Sequence, residues 1–331
     1  MISWKNIILL CSVIFIITNC STTESKNIEA SPTSGIASVT ISPTAIRTIT
    51  PTSTPIPVSP TPTHIPAVLP TVEELPENEA YPYLIELLHS QDCQLPCWLN
   101  VVPGQTSIKD AYRAWVPLLG IASHSNILSP EDGRIYFEYE NGGVNVSIQT
   151  RYSLSADFKL IESMSVDTHA LRKVGNSGAE EVYGAPYTES LQSYLLPDLL
   201  SKYGKPDQVI IRMEIAVAEP TSPDSFDIWL LYPQYGAIVL YTGPAEIIGG
   251  KTVQGCPSYS FVSLWLVEAG NNEMYQKTLE ENSGIKGLSP TPPYFKSTMD
   301  ALGMTSDEFF EIYKIPTNRC IESPLEIWPL G

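Results

Sequence analysis

The sequence is poor in basic residues, in histidine and in long apolar segments. Its 331 residues contain 36 Asp and Glu but only 19 Lys and Arg, so the formal net charge is −17, and there are only four His. A surface of this sign repels phosphate backbones and anionic lipid, which argues against nucleic-acid binding. The apolar run at residues 7–17 (IILLCSVIFII) is shorter than the roughly 20 residues of a membrane-spanning helix.

Motifs that carry catalysis are also lacking. The sequence has no Gly-x-Ser-x-Gly, Ser-x-x-Lys or His-Glu-x-x-His, and no Gly-rich phosphate loop. The segment Gly249-Gly250-Lys251-Thr252 lacks the upstream glycine and the strand–loop–helix setting of such a loop, so it is interpreted as a turn. The sequence therefore indicates no catalytic residue, cofactor or metal, and it leans away from an enzyme.

The N-terminus has the features of an export signal. Lys5 supplies a positive charge, the apolar run follows, and Cys20 comes after a short polar stretch. Residues 17–20 (ITNC) resemble the bacterial lipobox, although Asn19 departs from the small residue preferred there. This resemblance implies a signal peptide at 1–20, a lipid on Cys20, and attachment to the extracytoplasmic face of the cell membrane. The alternative is an uncleaved anchor helix from Ile2 to about Cys20.

Residues 21–75 are dominated by Ser, Thr and Pro. The frequent prolines exclude helices and sheet ladders, and few large apolar side chains are present to build a core. Such a segment favours an extended conformation of about 3.1 Å per residue. We expect a disordered stalk that holds a folded unit away from the membrane, and its Thr-rich composition is compatible with glycosylation.

Four cysteines remain after Cys11 and Cys20. An even set in an exported protein is typical of disulfides, and of three formal pairings the local one, Cys93 with Cys97, leaves Cys256 with Cys320. The alternatives for CxxxC are a metal site with His89 or a redox dithiol. Too few further ligands lie nearby for a metal, and the exported location favours a disulfide.

Hydrophobic periodicity divides residues 76–170 and 171–331 into two similar units. In the first, Ser107 and Asp110 begin a helix, and alternating runs flank Asn141-Gly142-Gly143 as in a β-hairpin. A helix ending at Gly204 and four later strands repeat this order, and residues 305–308 form a further capping box before a C-terminal helical extension. The pattern predicts an α+β fold of two tandem units, each with short helices packed on a curved antiparallel sheet.

Short motifs in these units resemble known families. Pro103-Gly104-Gln105-Thr106 and Gly303-Met304-Thr305 resemble the helix entry of the SmpA/OmlA (BamE) lipoproteins, and the segment 200–206 (LSKYGKP) resembles the end of that helix. Two such units in tandem would resemble the β-lactamase inhibitor protein fold. The order CQLPCW then PGQT at residues 93–106 is similar to that of uncharacterised bacterial lipoproteins. The resemblance implies an antiparallel sheet face that binds protein.

Candidate binding residues lie on the polar face of the predicted hairpin and among the later aromatics. They are Tyr136, Glu138, Asn145 and Gln149 on the hairpin, and Trp229 and Tyr241 further on. Trp and Tyr are enriched at interfaces. The sequence therefore predicts a protein-binding or scaffold module of the cell envelope, whose partner is an unknown envelope protein or polymer. The alternatives are an envelope polymer hydrolase and a carbohydrate-binding module.

Overall fold

The computed structural model of the protein describes residues 73–126, 133–174, 178–183, 185–215, 224–283, 294–316 and 318–329. Its helices are α1 (Glu77–Leu88), α2 (Ile108–Trp115), α3 (Ala185–Ser190), α4 (Leu196–Tyr203), α5 (Asn272–Ser283), α6 (Thr298–Leu302) and α7 (Ser306–Tyr313). Its strands are β1 (Ala122–Asn126), β2 (Gly133–Asn141), β3 (Val144–Leu154), β4 (Ile161–Val174), β5 (Gly178–Glu181), β6 (Gln208–Glu214), β7 (Ser225–Tyr232), β8 (Ala237–Ile248), β9 (Thr252–Gly255), β10 (Phe261–Val267), β11 (Phe295–Ser297) and β12 (Ile321–Pro324). Short 3₁₀ turns occur at Val116–Ile121, Gln192–Tyr194, Pro233–Tyr235, Pro257–Tyr259 and Leu325–Ile327.

The strands form one continuous sheet, in the order β1-β2-β3-β4-β10-β8-β7-β6-β11. Strand β5 pairs with the end of β4, and β9 pairs with β8 and with β12. Every pairing between these strands is antiparallel. Two consecutive meanders therefore lie side by side in a single sheet.

The expected arrangement of two tandem helix-on-sheet units is wrong. Strand β4 of the first half pairs directly with β10 of the second, with Asp167 opposite Ser263 and Ser165 opposite Trp265. Because this pairing joins the two meanders edge to edge, the halves share one sheet, and the larger core contains residues of both.

Helices cover the two faces of the sheet unequally. On the inner face, α1, α2, α4 and α7 contribute side chains to a large core shared with both meanders, including Leu84, Trp115, Leu199 and Phe309. On the outer face, α5 buries Tyr275 and Leu279 against a smaller cluster on the second meander: Ile210, Trp229, Leu231, Ile238 and Val267. Burying a large apolar side chain contributes about 1.5–3 kcal/mol, so burial of Tyr275 and Leu279 favours docking of α5 on this face.

Several local predictions are confirmed. The hairpin of β2 and β3 turns at Gly142 and Gly143, whose φ angles of 61° and 78° lie in the left-handed region that this turn requires. Helix α2 begins after Ser107, whose hydroxyl oxygen accepts a hydrogen bond from the Asp110 backbone N–H. Helix α7 has the capping box predicted from Thr305 and Glu308. Local capping and turn chemistry therefore fixes the element ends.

The predicted signal peptide and lipidation site fall outside the described residues, as do residues 21–72 of the predicted stalk. Over the part of the chain that the structure does describe, none of the helices combines the length and apolar character needed to cross a bilayer.

Candidate binding surface

Both predicted disulfides are present. Cys93 is bonded to Cys97, and Cys256 is bonded to Cys320. Cys93 and Cys97 are buried, so the bonded pair presents no thiolate to a metal and is shielded from attack by another thiol. Among the described residues, no three His, Cys, Asp or Glu side chains come together as a metal site. The CxxxC segment is therefore a structural staple in this protein.

The segment around the Cys93–Cys97 disulfide contacts both halves of the chain. Trp98 is fully buried, and its indole Nε1 donates a hydrogen bond of 3.0 Å to Thr150 Oγ1 on β3. The same indole meets Tyr194 edge-on at 5.1 Å. The Leu95 amide donates to the Tyr203 hydroxyl on α4 at 3.1 Å. The CxxxC segment and the following Trp98 thus pack between β3 and the helices of the second half.

The open part of the sheet is the outer face of β2, β3 and β4. Along β2 and β3 the inward side chains Ile135, Phe137, Val144, Val146 and Ile148 are buried, as the alternation predicts. Ser147 is the one outward side chain named here that is buried. The other outward side chains of the same strands are exposed or half-buried: Tyr136, Glu138, Asn145, Gln149 and Arg151. We call the outer side of β2, β3 and β4 the open face.

Strand register places the candidate residues of the hairpin close together. Tyr136 stands opposite Gln149, and Gln149 stands opposite Asp167 on β4. The Asn145 amide donates to the Glu138 carboxylate, and Arg151 donates to the Gln149 side chain at 3.3 Å. The open face thus carries acidic, basic and amide groups in rows fixed by backbone pairing.

The other two candidates lie away from the open face. Trp229 points to the outer side of β7, but α5 and its neighbours leave only 4% of it exposed. Tyr241 points into the inner core, where its hydroxyl donates to the Tyr194 carbonyl at 2.9 Å. Burial raises the pKa of Tyr241 well above its usual value. Both aromatics are core residues and cannot contact a partner in this fold.

A buried charge pair lies on the outer face of the second meander. Asp227 on β7 is 1% exposed; it accepts hydrogen bonds from Arg212 on β6 at 2.6 Å and from the Thr242 hydroxyl at 2.7 Å. The Arg212 guanidinium also lies over the Phe295 ring. Burial raises the pKa of Asp227, and the contacts with Arg212 and Thr242 offset part of that rise. This arrangement satisfies a buried carboxylate between neighbouring strands.

Sequence reasoning missed two contributors to the outer face. Asp167 and His169 on β4 extend the rows of the open face, because Gln149 and Ser147 stand opposite them. Helix α5 forms the border of the open face, yet its sequence NEMYQKTLEENS has only a narrow apolar stripe. The alternation of apolar and polar residues along β4 could have indicated Asp167 and His169. Little in the sequence indicated where α5 would dock.

Comparison of the chain with protein-family models, with curated proteins and with solved structures gives no match. The functional conclusion therefore depends on the geometry of the open face and on the sequence signals at the N-terminus.

Proposed function

We propose that the protein is a lipid-anchored, extracytoplasmic module that binds another protein of the cell envelope on its open face. The observation that carries the binding role is the unequal cover of the sheet. Helix α5 buries the outer side of the second meander, whereas outward side chains of β2–β4, such as Glu138 and Gln149, stay exposed or half-buried.

The location is supported by the disulfides and the N-terminal sequence. Structural disulfides form and persist in oxidising compartments outside the cytoplasm. The lipobox-like residues 17–20 and the Pro-rich segment after Cys20 match a lipid anchor followed by a spacer. Together they support a tethered protein whose folded unit faces the space outside the membrane.

The chemistry of the open face favours a protein partner. Non-obligate protein interfaces are about as polar as the rest of a protein surface, and they depend on hydrogen bonds and complementary charges. The open face offers Glu138, Asp167 and Arg151 together with the Asn145 and Gln149 amides. Because these groups stand on paired strands, binding a partner has to order their side chains but not the backbone that carries them.

Site-specific photo-crosslinking in cells tests this proposal. A photoreactive residue at Glu138 or Gln149 should yield one discrete covalent product with an envelope protein. The control position is Lys109, which is exposed on α2, a helix that packs on the inner face. Glu138→Lys should lower the yield from position 149, because it reverses a charge within the surface. No product from either site, or an equal product from Lys109, would contradict the proposal.

A further inference from the structure

A groove runs between the open face and α5, where the covered half of the sheet begins. Ser163 and Ser165 of β4 and Trp265 of β10 form its floor, and Met274 and Lys277 of α5 stand on its helical side. Its volume of about 350 Å³ lies within the range of small-molecule binding sites, which is roughly 300–1,000 Å³. The groove is therefore large enough to receive part of a polar ligand.

Two aromatic residues line this groove, the buried Tyr152 and the more exposed Trp265. One side of the Trp265 indole stacks on Trp229, with ring centres 5.3 Å apart and an angle of 12° between the planes. Trp265 remains half-buried rather than fully buried, and it stands directly opposite Ser165 in the strand register. The stacked partner holds the indole in place, so the groove presents a fixed aromatic surface beside a hydroxyl.

The walls of the groove carry balanced charge and many neutral polar groups. Arg151 and Glu162 come from the strand side, and Lys277 and Glu281 come from α5 with their charged atoms 4.0 Å apart. The remaining polar groups are hydroxyls and an amide: Ser153, Ser163, Ser165, Thr278 and Asn282. Two cations beside two anions do not favour a ligand of either charge. The polar lining is also unsuited to a purely apolar ligand.

We propose that this groove binds a neutral oligosaccharide. The C–H face of a pyranose ring would pack on the Trp265 indole, while its hydroxyls would exchange hydrogen bonds with Ser163, Ser165 and the carboxylate of Glu162. Such a ligand needs an aromatic surface next to donors and acceptors of both kinds, and this groove supplies that combination. The groove shares Arg151, Ser163 and Ser165 with the border of the open face, but saccharide binding there does not depend on the protein-binding role.

Isothermal titration calorimetry with two neutral probes tests the site: a β-1,4-linked tetramer of glucose and one of N-acetylglucosamine. A shallow groove of this kind predicts a Kd on the order of 0.1–1 mM for at least one probe. Ser165→Arg places a long side chain in the groove without changing a core residue, and it should weaken binding at least tenfold. Ser258→Arg is the matched control, because it makes the same serine-to-arginine change at an exposed position outside both the groove and the open face.

Two outcomes would overturn the saccharide site. One is that neither tetramer binds at about 10 mM; the other is that Ser165→Arg and Ser258→Arg weaken binding equally. Urea denaturation of both variants shows whether each is folded, and Lys277→Ala provides a second variant on the helical wall. Crosslinking from Glu138 is measured in parallel. Tetramer binding without a crosslinked product would contradict the protein-binding proposal alone. A crosslinked product without tetramer binding would contradict the saccharide site alone.

Discussion

The two disulfides close loops of very different length, which predicts unequal contributions to stability. Cys93 and Cys97 are 4 residues apart, whereas Cys256 and Cys320 are 64 residues apart. In the chain-entropy model a cross-link acts by restricting the unfolded chain, and it contributes about 2 kcal/mol for the short loop and about 4 kcal/mol for the long one. We therefore expect the Cys256–Cys320 bond to contribute about 2 kcal/mol more to the free energy of unfolding.

Comparing each single-disulfide variant with itself isolates these contributions. Cys93→Ala/Cys97→Ala keeps the long loop closed, and Cys256→Ala/Cys320→Ala keeps the short one closed. Urea denaturation of each variant, with and without reductant, gives the free energy of unfolding that is lost when its remaining disulfide opens. The two cysteines replaced by alanine are absent in both measurements, so their effect cancels. Thiol titration confirms the redox state. Equal losses, or a larger loss for the short loop, would refute the loop-length reasoning.

Three further predictions concern single side chains. Asp227→Asn should lower the free energy of unfolding by less than the roughly 3–5 kcal/mol typical of a broken buried pair, because burial already disfavours the ionised carboxylate and Arg212 keeps 35% of its side chain in solvent; urea denaturation measures this change. Thr150→Val should cost about 1–3 kcal/mol by leaving the Trp98 indole N–H without an acceptor, whereas Thr150→Ser should cost less in the same assay. Hydrogen bonds from Thr305, the N-terminal cap of α7, lower the pKa of Glu308 below its usual 4.5. The stability they contribute is therefore present above pH 4.5 and is lost as the pH falls through the folded pKa. Urea denaturation at stepped pH should show that the free energy of unfolding of Glu308→Gln falls less steeply with acid than that of the wild type.

Local structure was predictable where short-range chemistry decides it. The hairpin of β2 and β3 followed from strict alternation around Asn141-Gly142-Gly143, and the α7 cap followed from Thr305 and Glu308. The single sheet was not predictable in the same way. Periodicity gives the face of each strand but not its neighbour, and the β4–β10 pairing joins residues nearly a hundred positions apart, such as Asp167 and Ser263.

The candidate surface was predictable only in part. On the hairpin, alternation separated Tyr136 and Gln149 from the core, because only one side of β2 and β3 is buried. On β7 the run FDIWLLY is buried almost throughout, since helices cover that part of the sheet on both faces. A continuous apolar run is typical of such a strand, and it was the available signal that Trp229 belongs to the core.

Location underlies the whole account, because the envelope partner and the disulfides both require a chain outside the cytoplasm. Peptide mass spectrometry of the membrane-bound protein without reduction tests it most directly. We expect an N-terminal peptide that begins at a diacylated or triacylated Cys20, together with linked Cys93–Cys97 and Cys256–Cys320 peptides. An unmodified Cys20 in a chain that retains residues 1–19, with free thiols at the other four cysteines, would contradict it.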